Sequence, residues 1–154
     1  MNKLVSNSEK KYLAVELSAD TKFDVLRQMA ASLYEEGYVK ETYSEAIINR
    51  EKKFPTGLPT GKINVAIPHT DPEYVNHAAI CLGILDKPVT FEVMGMEGEE
   101  VDVSVLFMLS IKHKEDQMDT LAELIGVCQN QDVLEKIASK NIEAISQIMD
   151  SLKI

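Results

Sequence analysis

Helix-patterned and strand-patterned stretches alternate along this chain, which predicts an α/β layered domain on a mixed sheet of about five strands. Two observations carry that expectation. Continuous apolar runs at residues 63–67 and 78–85, bounded by Gly, Pro or polar residues, read as buried strands. Residues 101–110, V-D-V-S-V-L-F-M-L-S, begin alternating and end continuously apolar, as a central strand does when it enters from an exposed end. A length of 154 residues with 45% hydrophobic and 27% charged side chains suits a single domain, 1–154, that buries its own core.

In chain order, Tyr12, Leu13, Val15 and Leu17 form the first expected strand. Ser18 or Asp20 then caps a helix carrying Phe23, Leu26, Ala30, Leu33 and Tyr34 at spacings of three and four, and Gly37 stops it. Thr42 opens a second helix with Tyr43, Ala46 and Ile47 on one face and Arg50 one turn further on. Pro55 and Gly57 end it. After the strand at 78–85, the Asp86-Lys87-Pro88 turn leads to a half-exposed strand at 89–93, and Gly95 and Gly98 mark the next turn. From Lys112 onward the pattern is helical, with apolar faces at Met118, Leu121, Ala122, Leu124 and Ile125, then Val133, Leu134 and Ile137. A final amphipathic helix carries Ile142 to Leu152.

The stretch T-G-K-I-N-V-A-I-P-H-T-D-P-E, residues 60–73, is the chemical focus. Pro68 cannot extend a central strand, so His69 stands at a strand exit. Thr70 or Asp71 can cap a following helix whose first position suits Pro72. A histidine between a strand end and a helix N-terminus sits where an anion is favoured, and it could carry a phosphoryl group. It also fits an ordinary surface strand–helix connection. Arg50 has two readings of its own. It is a snorkelling edge residue or a charge aimed at an anion, whose guanidinium could bind two phosphoryl oxygens.

Other chemistries fit poorly. G-L-P-T-G-K, residues 57–62, has only three residues between its glycines, Ile63 after the lysine and a strand next, so it is not a P-loop. His69, His77 and His113 show no ligand spacing, so no metal is expected even with Asp71 close by. Cys81 and Cys128 lie in apolar stretches and read as buried thiols, and His77 and His113 as surface residues, His113 following the central strand's exit. A net charge of −9 argues against nucleic acid as a partner. The N-terminal stretch lacks the apolar core of a signal peptide and no 18-residue apolar run occurs, so a cytoplasmic protein is expected.

The run G-x-x-x-A-I-P-H-T-D, with N-R-E upstream and V-L-F-M-L-S downstream, resembles the enzyme IIA domain of the fructose–mannitol type in the bacterial phosphotransferase system (PTS). The wording A-I-P-H-T-D-P-E-Y-V and K-P-V-T-F-E-V-M-G is most similar to the galactitol-specific branch. The resemblance implies a mixed sheet with helices on both faces and a phosphotransferase needing no cofactor. It implies that His69 accepts a phosphoryl group from phospho-HPr and passes it to the cysteine of a cognate IIB, the membrane component IIC being only an indirect partner. Arg50 matches the arginine beside that histidine. Gln117 stands where some relatives have a second histidine; it can donate a hydrogen bond but carries no charge. Thr60, Thr70 and Asp71 are further candidates for phosphoryl contact. The rival expectation is a regulatory IIA-like protein responding to PTS phosphorylation state.

Overall fold

The computed structural model describes residues 1–153. A six-stranded mixed sheet, one strand more than expected, has the order β1-β2-β5-β6-β4-β3. The strands are β1 (Asn2–Asn7), β2 (Tyr12–Leu17), β3 (Gly57–Leu58), β4 (Asn64–Ala66), β5 (Ala79–Glu92) and β6 (Glu100–Ser110). Two strands are additional, β3 and β1, the latter an antiparallel partner at the edge beside β2, while the strands expected at 78–85 and 89–93 are the single β5. The β1 sequence, N-K-L-V-S-N, is mostly polar and largely exposed, so burial leaves little pattern to read. The two-residue β3 also escapes any periodicity.

Helices cover both faces. On one lie α1 (Lys22–Glu35) and α2 (Tyr43–Lys53), which bury Val25, Leu26, Met29, Leu33, Tyr43 and Ile47 against inward residues of β2, β5 and β6. On the other lie α3 (Gln117–Cys128), α4 (Gln131–Ala138) and α5 (Ile142–Asp150), packed on Ala14, Ile80, Leu82, Val105 and Phe107. Alternation along each strand divides the core in this way. Each fully buried Leu, Ile or Phe contributes about 1.5–3 kcal/mol. Among the described residues no helix is long and apolar enough to cross a membrane. Cys81 and Cys128 are buried free thiols, and burial pushes Cys128 up to about 12.

Two local expectations change. α1 is capped by Thr21, whose hydroxyl accepts from the Asp24 N–H at 3.2 Å, rather than by Ser18 or Asp20. Asp86-Lys87-Pro88 does not separate two strands. β5 runs through it, with the register against β6 shifting between Ile84 and Val89. β2 stops pairing at Leu85, so the extra residues bulge where no neighbour on that side needs hydrogen bonds. Pro88 is tolerated there for the same reason.

The topology gathers one end of the sheet. β4 runs parallel to β6 and β5 antiparallel to it, so β4 and β6 end where β5 begins. The fully buried Tyr43 hydroxyl of α2 donates to the Leu109 carbonyl at 2.5 Å, fastening α2 to this end. Losing that partner would leave a buried polar group unsatisfied, at about 1–3 kcal/mol. Before β4 the chain enters the sheet through Gly57. A Cβ there would lie 2.6 Å from the Glu92 carbonyl oxygen and 2.9 Å from Val101 Cγ1. Gly57→Ala is therefore expected to lower stability by about 1–3 kcal/mol in urea titrations. An unchanged midpoint would show that this close backbone approach can relax.

Candidate functional site

β4 ends at Ala66, and Ile67 and Pro68 carry the chain to His69, all three buried. The segment is held on both sides. The Leu109 N–H of β6 donates to the Pro68 carbonyl at 2.9 Å, and the Ile67 N–H donates to the Thr56 carbonyl at 3.3 Å. Proline suits this exit, since it needs no donor and restrains the backbone before His69. Only 8% of His69 is exposed.

The histidine ring is oriented by its own chain. Nδ1 lies 2.9 Å from the Ile67 carbonyl oxygen. A carbonyl only accepts, so Nδ1 carries the hydrogen and Nε2 keeps its lone pair in the neutral ring. Burial, the largest influence, lowers the His69 pKa; the bond to Ile67 raises it, Arg50 lowers it and Asp71 raises it. The net direction is downward, which enlarges the neutral, nucleophilic fraction near pH 7.

Arg50 lies in the last turn of α2. Its Nη1 stands 3.7 Å from Asp71 Oδ1, and its guanidinium lies over the Phe54 ring with 4.6 Å from Cζ to the ring centroid. The Nε of Arg50 is buried and has no hydrogen-bond partner among the described residues. Asp71 is two residues from the histidine, and the Arg50 charge is near enough to lower the His69 pKa. The pair is part-exposed, so its stability contribution is small and its value lies in placement.

The remaining candidates divide. Thr70, next to His69, is buried. Thr60 is engaged elsewhere: its hydroxyl donates to the Ile63 carbonyl at 2.7 Å, its N–H to Asn64 Oδ1 at 3.0 Å, and its carbonyl accepts from Gln131 Nε2 at 2.8 Å. Those bonds tie the loop before β4 to the start of α4. Gln117 opens α3 and is half-buried, with no hydrogen bond to His69 or Arg50 among the described residues. His113 and His77 are exposed as expected. His113 lines a cavity of about 630 Å³ between α3 and the adjoining ends of β5 and β6, and that cavity does not include His69.

The helix expected after His69 is a single 3-10 turn, Pro72–Tyr74, and the Asp71 side chain makes no capping bond to it. A three-residue turn sums almost no macrodipole, so the anion-favouring charge at His69 is Arg50 rather than a helix end. Two residues near the site carried no role in the sequence analysis. Phe54, four positions after Arg50, stacks on the guanidinium, and the i,i+4 spacing was the available signal. Glu51 is 2% exposed and binds Thr56 through both carboxylate oxygens. Only its neighbours in the fold reveal that role, since a glutamate near a helix end usually faces solvent.

Comparison with known proteins follows the same outline. Residues 7–152 match the family described as "Phosphoenolpyruvate-dependent sugar phosphotransferase system, EIIA 2". The galactitol-specific EIIA component of Escherichia coli K12 is 29% identical over 114 residues, 74% of this chain and 75% of that protein. The transcriptional regulator ManR of Bacillus subtilis is 29% identical over 115 residues, 75% of this chain but only 16% of ManR. Among solved structures, IIA mannitol from Escherichia coli superposes with a TM-score of 0.69 at 19% identity, covering 91% of this chain and 99% of that one. The complex of enzyme IIAMTL with phosphorylated enzyme IIBMTL from the same organism gives 0.67 at 20% identity, covering 90% of this chain and 95% of that one. The chain belongs to the EIIA 2 family of the phosphoenolpyruvate-dependent sugar phosphotransferase system, whose members are phosphoryl-transferring components.

Proposed function

We propose that this protein is a phosphocarrier in which His69 Nε2 takes a phosphoryl group from phospho-HPr and gives it to the cysteine of a cognate IIB. The observation that carries the reading is the Nδ1–Ile67 hydrogen bond, which leaves Nε2 with the free lone pair on a ring whose pKa the Arg50 charge helps to lower. In the accepting step the Nε2 lone pair forms a bond to phosphorus while the donor's bond to phosphorus breaks, its electron pair returning to the donor. The ring gains positive charge, and the Ile67 carbonyl stabilises it by accepting from Nδ1–H. In the donating step a thiolate attacks phosphorus and the Nε2–P bond breaks, restoring the neutral ring.

Positioning and charge compensation do most of the catalytic work in such transfers. Arg50 supplies the compensation: its Nη1 lies 3.7 Å from Asp71 Oδ1, a loose pair from which the guanidinium can turn to a phosphoryl oxygen. Asp71 is part-exposed and can yield its place to the dianion. Thr70 is the polar neighbour in reach through the chain itself; Gln117 could join only by moving toward the ring. Burial of His69 limits attack of water on the phosphorylated ring.

Galactitol is the proposed sugar system, on the likeness to the galactitol-specific component over three quarters of both chains. IIB is a direct partner, IIC an indirect one, and the cytoplasm is the compartment where HPr and IIB would meet this chain. A regulatory role is the second reading, favoured by the likeness to a segment of ManR. Phosphotransfer to a panel of sugar IIB proteins separates the two: transfer to one supports the carrier, and failure with all supports the regulator.

Incubation with phosphoenolpyruvate, enzyme I and HPr is expected to place one acid-labile phosphate on the wild type and none on His69→Gln. Equal labelling of both would move the site away from His69. Arg50→Ala is expected to slow phosphoryl transfer about a hundredfold while thermal unfolding stays close to wild type. An unchanged transfer rate would remove Arg50 from the reaction.

The lowered His69 pKa gives a signed pH dependence. As pH falls through about 6.5, the unfolded chain binds a proton at this position before the folded chain does. Stability therefore declines with falling pH until the folded pKa is passed, and this component is fully present above 6.5. Urea titrations across that range are expected to show a shallower decline in His69→Gln than in wild type. Parallel curves would mean that His69 titrates as in the unfolded chain.

A further inference from the structure

Glu51 follows Arg50 on α2 but points inward, a carboxylate only 2% exposed. Its Oε2 accepts from the Thr56 N–H and its Oε1 from the Thr56 hydroxyl, both at 2.8 Å. The Thr56 carbonyl accepts from the Ile67 N–H at 3.3 Å, and the Ile67 carbonyl accepts from His69 Nδ1 at 2.9 Å. The carboxylate thus stands at the head of a chain of hydrogen bonds that ends on the ring. Among the described residues it makes no hydrogen bond to His69 or Arg50. A buried carboxylate is costly to hold for fold stability alone, since an apolar residue of similar volume could fill the site.

We infer that Glu51 is a positioning residue for His69, clamping Thr56 so that the Ile67 carbonyl meets Nδ1 and keeps Nε2 unprotonated. The geometry supports this in three ways. The Glu51 bonds are bidentate onto a single residue, which fixes the Thr56 peptide in direction as well as position. Thr56 is 2% exposed and immediately precedes Gly57, the residue that slots against Glu92 and Val101. Held at its N–H and hydroxyl by Glu51 and followed by the wedged Gly57, Thr56 has its carbonyl, part of the next peptide, confined between two anchored points where it meets the Ile67 N–H. Finally, Arg50 and Glu51 are consecutive on the last turn of α2, so one helix end delivers both the charge beside the ring and the brace beneath it. A shift of that turn would change both together. Burial raises the Glu51 pKa, the two bonds from Thr56 lower it, and the charges of Lys22 and Glu92 pull it in opposite directions, the net direction being upward.

The kinetic consequence rests on the phosphocarrier reading, whereas the ring geometry does not, so the experiment has two arms. In uniformly 15N-labelled protein at pH 7.5, long-range 1H–15N spectra read the tautomer of His69 directly. Wild type is expected to show Nδ1 protonated and Nε2 bare. Glu51→Ala is expected to give averaged shifts from mixed tautomers, and Thr56→Val, which removes only the hydroxyl arm, a smaller change in the same direction. Thr56→Ser keeps both arms and is expected to restore the wild-type spectrum. In the second arm, kcat for phosphoryl acceptance falls about tenfold in Glu51→Ala and about threefold in Thr56→Val, with KM for phospho-HPr within twofold of wild type. A wild-type His69 spectrum in folded Glu51→Ala overturns the inference. If Glu51→Ala does not fold, a wild-type spectrum in Thr56→Val overturns it instead. Should wild-type His69 take no phosphoryl label, the phosphocarrier reading falls and the spectra alone decide the role of Glu51.

Discussion

The 2.9 Å hydrogen bond between His69 Nδ1 and the Ile67 carbonyl depends on two residues separated by a single proline, and so on where the end of β4 is held. A free histidine divides its proton between two nitrogens, and only one arrangement leaves Nε2 nucleophilic. Here the backbone makes that choice. Pro68 restrains the turn, the Leu109 N–H holds the Pro68 carbonyl from the β6 side, and Thr56 holds the Ile67 N–H from the other. The parallel pairing of β4 with β6 brings those anchors to one end of the sheet, and the Tyr43–Leu109 bond brings α2 there too. The six-stranded frame is, at this end, a device for fixing one ring nitrogen.

Charge placement follows a matching logic. A protein of net charge −9 is a poor general host for an incoming phosphoryl dianion, so compensation has to be local. Arg50 is the cation that the fold commits to the site, oriented by Asp71 on one side and Phe54 on the other. Neither partner binds it tightly, at 3.7 Å to a part-exposed carboxylate and over an exposed ring. An arginine locked in a buried bidentate pair would have to break strong bonds before meeting a phosphoryl group. Loose restraint suits a carrier that must both receive and release.

Much of this was legible in the residues. The α/β class, the central strand ending at Ser110 and the exit of His69 from a strand at Pro68 followed from apolar runs and from proline's missing donor. The likeness of A-I-P-H and the upstream N-R-E to the fructose–mannitol-type IIA domain marked His69 and Arg50 as candidates for one site. What escaped had weak sequence signals for physical reasons. β1 is an exposed edge strand that buries too little to be patterned, and β3 is two residues long. The helix after Pro72 shrank to one 3-10 turn because Asp71 turns its carboxylate toward Arg50 instead of capping. Thr60 looked available for phosphate, but Ile63, Asn64 and Gln131 use its polar atoms, and the contact with Gln131, 71 positions away on α4, is one that no local motif specifies. Glu51 escaped because its burial depends on Thr56 folding back beneath α2.

The same division explains why the chemistry of the site and the identity of the sugar are written in different parts of the molecule. In the proposed phosphocarrier, His69, Ile67, Arg50 and Asp71 would handle a phosphoryl group alone, and that group is identical in every sugar system. On that reading the sugar itself never needs to reach a ring that is only 8% exposed and lies outside the 630 Å³ cavity. Discrimination among systems must then come from which IIB can bring its cysteine to Nε2, a matter of surface fit and rim charge. Large exposed apolar side chains such as Phe54, beside Arg50, and Met118, next to Gln117, belong to that outer layer. They can vary without disturbing the hydrogen bonds that orient His69. A fold that fixes the nucleophile through backbone groups and one buried carboxylate leaves its surface free to diverge with its partners.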